Sequence, residues 1–163
     1  MLKIKTMEDT FQEEHVAGML QNRDASINIE RIERIYYPYL KLLYSFKLNG
    51  KMGKLDNRMM CNVDLVYGRH AIGQGKPSFI ELEVEDNLVL PNQISEEKAL
   101  LQARDYVFKI FISKMKILET PKIQLEEQEY FHKLFFIACC KDPDDQDYHV
   151  LVDSMDGSIA ILD

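Results

Sequence analysis

Three cysteines and four histidines are the side chains of this sequence best suited to hold a metal or to act as nucleophiles. Cys139 and Cys140 are adjacent, and His132 and His149 flank them, a thiolate and imidazole set of the kind that binds zinc. If a hairpin pairs Cys140 with His149, those two share a face. His132, however, lies eight residues up the same strand from Cys140, about 26 Å away at roughly 3.3 Å per residue. Two ligands do not close a structural zinc site, so the cysteines are expected to be inert strand residues. Asp142, Asp144, Asp145, Asp147 and Asp153 raise calcium as a second chemistry. A loop starting at Asp142 has carboxylates at its first, third and twelfth positions, but Gln146 occupies the fifth and Asp147 stands where glycine is required. A solvated hairpin loop is the expectation, with no metal and no cofactor. Neither a nucleophile-elbow pattern nor a glycine-rich phosphate loop occurs, since Gly68, Gly73 and Gly75 are scattered. No catalytic residue is nominated. An enzyme working from a pocket between modules is the third-ranked function.

The remaining cluster is basic. From Arg31 to Arg58, seven basic residues (Arg31, Arg34, Lys41, Lys47, Lys51, Lys54 and Arg58) stand against Glu33 and Asp56, with Tyr36, Tyr37 and Tyr39 among them. Aromatic rings beside basic residues on a sheet can stack bases while the charges meet phosphate. Arg31, Arg34, Tyr37, Lys51, Lys54 and Arg58 are therefore the candidate binding residues. The sequence pI of about 5.1 opposes nucleic acid at long range, and charge runs are usually solvated faces. Nucleic-acid binding stands second to protein–protein contact.

The elements that would carry these residues follow from periodicity. Thr10 and Glu13 fit a capping box, and Phe11, Val16, Met19 and Leu20 give an apolar stripe, predicting a helix over 6–22. Pro38 is expected to separate the β-branched stretch Ile27–Ile35 from a strand over 39–48, where Leu40, Leu42, Tyr44, Phe46 and Leu48 alternate with polar residues. Strands over 59–66 and near Ala71-Ile72 complete a meander. A connector over 73–94 can add edge strands at Phe79-Ile80 and Leu88–Leu90. Ser95 is a good N-cap for a helix whose apolar face includes Leu100, Ala103, Val107, Ile110 and Phe111, ending before Pro121. Strands over 130–140 and 148–153, then a turn at Asp156-Gly157 into 158–162, form a second meander.

Length and charge set the frame. One domain of ordinary size, or two small ones, fits 163 residues that are 46% hydrophobic. The net charge of −7 hides an asymmetry: residues 1–80 hold 12 basic and 9 acidic side chains, whereas 81–163 hold 8 and 18. The amino-terminal residues meet Glu8 before any apolar run develops, no stretch of about 18 apolar residues occurs, and the cysteines are odd in number. A cytoplasmic protein, with no membrane span and no secretion signal, is expected.

The halves match in residues as well as in order. Sliding by 89 positions lays Val63–Ile72 on Val152–Ile161, with Val, Asp, Gly, Ala and Ile coinciding in five of ten columns. The closing run Tyr148-His149-Val150-Leu151-Val152-Asp153-Ser154-Met155-Asp156-Gly157-Ser158-Ile159-Ala160-Ile161, preceded by a helix and a strand, resembles the last hairpin of PepSY-like domains. The resemblance covers about residues 95–162, with a degenerate copy over 7–72. It implies a helix-plus-meander fold and a role in binding or restraining partners without catalysis, although such domains are mostly extracytoplasmic. The expected fold is α+β, in two tandem modules over 1–80 and 81–163, each helix packed on its own sheet. The expected function is a non-enzymatic interaction module with a protein partner, a second copy included, since meander edges can pair.

Overall fold

A computed structural model of the chain describes residues 1–8, 10–50, 53–73, 77–115 and 120–162, with 48–50, 53–56 and 115 described in their backbone alone. Among these residues the protein is mixed α/β, with strands β1 (Leu2–Met7), β2 (Asn28–Gly50), β3 (Gly53–Asp64), β4 (His70–Gly73), β5 (Phe79–Val84), β6 (Lys122–Lys141), β7 (Asp147–Asp153) and β8 (Ile159–Leu162). Two helices, α1 (Glu13–Arg23) and α2 (Glu96–Met115), accompany them. Contacts gather these elements into a first unit (Met1–Tyr37, Pro77–Leu90 and His132–Asp163) and a second unit (Pro38–Lys76 and Pro91–Phe131).

In the second unit the alternating residues of β2 decide the packing. Leu40 lies opposite Val63 and Leu42 opposite Cys61 in the antiparallel β2–β3 ladder, and β4 continues the meander. With Tyr44 and Phe46 they form an apolar face that α2 covers through Ala99, Ala103, Val107 and Phe111. Two small residues allow the helix backbone to approach closely, and Phe111 stacks on Phe46 at 4.0 Å between ring centroids. Ser95 caps the helix by accepting the Lys98 amide at 3.2 Å. The first half of β6 lies beside β2: Tyr39 stacks on Phe131 at 5.6 Å, and Ser45 Oγ donates to Glu126 at 2.6 Å.

The first unit repeats this arrangement with other segments. β6 pairs with β7, placing Phe135 opposite Asp153 and Ala138 opposite Val150, and β7 pairs with β8. Their apolar face, built from Leu134, Phe136, Ala138, Cys140, Val150 and Val152, is covered by Val16 and Leu20 of α1. The opening half of β2 lies beside β6, with Tyr37 against Phe135 at 4.9 Å. β1 pairs along its length with β5 and touches β6 at one parallel bridge, Thr6 to His132.

Equivalent residues in the two units make equivalent bonds. The Gly68 amide donates to the Asp64 carbonyl at 2.9 Å and the Gly157 amide to Asp153 at 3.0 Å. Each aspartate folds its side chain onto the amide two residues on, Val66 at 2.6 Å and Met155 at 2.8 Å. Both glycines have positive φ, 76° and 73°. A Cβ on Gly68 would meet Ile94 of the segment leading into α2, and one on Gly157 would meet Met19 of α1. Two parallel bridges, Thr6 to His132 and Tyr36 to Val89, both lie in the first unit. A shift of 83 residues carries Val16 and Leu20 onto Ala99 and Ala103, the helix residues with the same role.

The expectation that each helix packs on its own sheet is corrected by these contacts. α1 covers the meander near the end of the chain, and α2 covers the meander that precedes it. The compact units accordingly draw on both sides of the expected boundary at residue 80. Other differences have local causes. Pro38 sits inside one continuous strand, β2, because the β3 ladder begins at Tyr39 and is owed no bond by the proline nitrogen. Leu2–Met7 is a strand, so α1 begins at Glu13, and its N-cap is Gln12 without a side-chain bond, in place of the Thr10 capping box. In the last hairpin His149 lies opposite Cys139, and Tyr148 opposite Cys140.

Candidate functional site

The candidate binding residues distribute over both units. Arg31 and Arg34 project from the opening half of β2. Arg31 is exposed and its Nε donates to Glu33 at 2.9 Å, while Arg34 stands 3.8 Å from the Glu13 carboxylate. Tyr37 is 9% exposed and packs against Phe135, so its ring face is not open to stack a base. Arg58 is exposed on β3 opposite Ser45, and Lys54 lies opposite Asn49 in the same ladder. Lys51 and the side chain of Lys54 lie outside the described residues. Lys41, from the same basic run, faces Glu129 at 3.5 Å and Glu127 at 3.8 Å.

The reactive residue types are mostly enclosed. Cys61, Cys139 and Cys140 are free thiols and all buried. Burial pushes Cys61 up to about 11 and raises the other two, which disfavours the nucleophilic thiolate. Burial also lowers His70 and His132, keeping both imidazoles neutral into mildly acid solution. Among the described residues no three His, Cys, Asp or Glu side chains gather where a metal could sit. Asp142 Oδ1 instead accepts the amides of Asp144 and Gln146, both at 2.9 Å, closing the acidic hairpin loop on itself.

Three concave places stand out among the described residues. In the second unit a groove of about 430 Å³ runs along α2 beside β4, lined by Ile72, Tyr106, Ile110 and the Lys109 and Lys114 stems. In the first unit a groove of about 410 Å³ separates α1 from β2, lined by Glu13, Glu14, Ala17, Ile29, Glu30, Arg31 and Ile32. Its other side is the stretch Ile29–Ile32 of β2, a strand that has β6 along one edge and β3 along the other edge. Of the described residues, none pairs with that edge over 28–35; the ladder with β3 starts at Tyr39, and the single bridge to Val89 is at Tyr36. A pocket of about 210 Å³ lies under the start of α1 and is more polar. Its residues come from β1, β2, β5, β6 and the segment before α1. Sequence reading did not find it, although the Leu2-Lys3-Ile4-Lys5-Thr6 alternation marks the strand that carries Thr6.

No protein-family model, curated protein or solved structure matches the chain. No helix among the described residues is long and apolar enough to cross a membrane.

Proposed function

We propose that this chain is a non-enzymatic, cytoplasmic interaction module, built from a duplicated α-β-β-β unit of PepSY-like type whose two helices have exchanged meanders. The paired Asp-to-Gly turns and the matched helix residues support the duplication. The buried, protonated thiols accord with a reducing compartment. One observation carries the functional part: an unpaired strand edge, 28–35, beside a groove walled by a helix. That combination accepts an extended peptide as an added strand, main-chain bonds giving affinity and alternate side chains entering the groove.

Charge selects among peptides. Glu13, Glu14 and Glu30 line the groove, and its one guanidinium, Arg31, is already held by Glu33. The partner segment is therefore extended, with lysine or arginine alternating with aliphatic residues. The test is an NMR titration of the isotope-labelled protein with a hexapeptide of alternating lysine and valine and with its glutamate counterpart. The expected result is saturable shifts of amides in 28–35 and in the first turn of α1 for the lysine peptide. Equal responses to both peptides, or none, refute the reading. A second copy as the occupant would instead give shifts on dilution of the protein alone and a dimer mass by light scattering.

A further inference from the structure

We infer that the pocket under the start of α1 is a binding site for a small organic carboxylate with a short apolar body. Thr6 is 4% exposed, and its Oγ1 is buried without a hydrogen-bond partner while lining this pocket. A hydroxyl left so is destabilising unless a water or ligand meets it. Around it the walls are Phe11, Ile80, Leu134 and Phe136, which suit an aliphatic body.

Two groups favour an anionic head. Arg34 lines the pocket with its side chain 46% exposed, and its ion pair with Glu13 is long at 3.8 Å. An entering carboxylate can take that guanidinium in two parallel bonds. The helix begins beside it: Gln12 lines the pocket and makes no side-chain cap, so the first amides of α1, without acceptors inside the helix, add donors and positive dipole. Glu8, exposed and also lining the pocket, offers a place for an ammonium group if the ligand carries one.

The positions that a shift along the sequence sets against the pocket sharpen the assignment. The shift of 83 residues that carries Val16 and Leu20 onto Ala99 and Ala103 places Val89 at the position of Thr6, and Pro91 and Ile94 at those of Glu8 and Phe11. A shift of 96 residues, which carries Tyr36 of β2 onto His132 of β6, places Tyr130 at the position of Arg34 and Pro38 at that of Leu134. There Tyr130 turns its hydroxyl onto Asn92 at 2.9 Å. The hydroxyl, carboxylate and guanidinium of the pocket thus have no like residue at the shifted positions.

The experiment is a chemical-shift titration of the full chain with isovalerate, isovaleramide and leucine. Isovalerate should produce saturable shifts at Thr6, Phe11, Gln12 and Arg34, and isovaleramide should not. Leucine binding more tightly than isovalerate adds Glu8 to the site, whereas equal or weaker binding leaves the carboxylate alone as the determinant. Arg34→Gln should weaken isovalerate binding by about tenfold or more, with the melting temperature as the check on folding. Thr6→Ser should keep binding and Thr6→Val should reduce it. No saturable shift from either acid at about 20 mM, or equal shifts from isovaleramide, overturns the proposal and leaves Thr6 Oγ1 to a buried water.

Discussion

Replacing Leu20 by alanine tests which meander α1 covers. Leu20 is 3% exposed and belongs to the cluster of Leu134, Phe136, Val150 and Val152. Truncation removes three carbons from that cluster, a transfer loss of about 2.4 kcal/mol at ~0.8 kcal/mol per buried carbon. The cavity left behind raises the cost to about 3–5 kcal/mol where neighbours cannot collapse. A chain of this length should then melt roughly 6–20 °C lower. Urea unfolding supplies the magnitude, and native-state hydrogen exchange supplies the location. Protection should fall for the amides of β7 and β8, with β3 and β4 much less affected. The reciprocal substitution, Val107→Ala in α2, should open β3 and β4. Loss of protection in β3 and β4 from Leu20→Ala, with β7 and β8 unchanged, would refute the exchanged packing.

Acid should weaken the fold before carboxylates titrate. His132 is buried with its pKa lowered by desolvation, so the unfolded chain takes up a proton near pH 6.5 that the folded chain refuses. Stability should be full above that pH and decline as pH falls below it; His132→Phe, followed by urea midpoints from pH 7.5 to 5, should flatten that decline. Iodoacetamide at about pH 8 should label Cys61, Cys139 and Cys140 far more slowly in the native protein than in urea, read by mass spectrometry, because burial raises all three thiols. Asp153→Asn should cost more than Asp64→Asn. Asp64 accepts amides, whereas Asp153 also holds Lys133 at 2.6 Å in a mostly buried pair, worth about 3–5 kcal/mol when one partner is lost. Denaturation midpoints of the two variants check the ranking.

Much of the local structure was legible because it depends on neighbours in the chain. The alternation of Leu40, Leu42, Tyr44 and Phe46 marks one face of a strand. Ser95 marks a helix start, and the turn glycines 68 and 157 mark hairpin corners. The pairing of helix with sheet was not legible. An apolar stripe such as Val16 and Leu20 states that a face is buried, but both meanders offer similar apolar faces, Leu40 and Leu42 in one, Phe136 and Ala138 in the other. Nothing local distinguishes them. The pocket was hidden for a related reason: Thr6, Arg34 and Leu134 are far apart in sequence and meet through β1, β2 and β6. The basic cluster was visible as a run of charge. Its carboxylate neighbours, Glu13 beside Arg34 and Glu129 beside Lys41, come from distant segments.

The packing of α1 on strands near the end of the chain imposes an order on biosynthesis. Leu20 leaves the ribosome well before Leu134, 114 residues later in the chain. At about 5–20 residues per second, α1 waits roughly 6–23 s for the strand it covers. For part of that interval, until Glu96–Met115 is made, the nearer meander, β2 to β4, is complete without its covering helix. The nascent chain therefore passes through a stage in which α1 has been made and the strands it covers have not. α2, which covers the nearer meander through Ala99, Ala103, Val107 and Phe111, is made before β7 and β8.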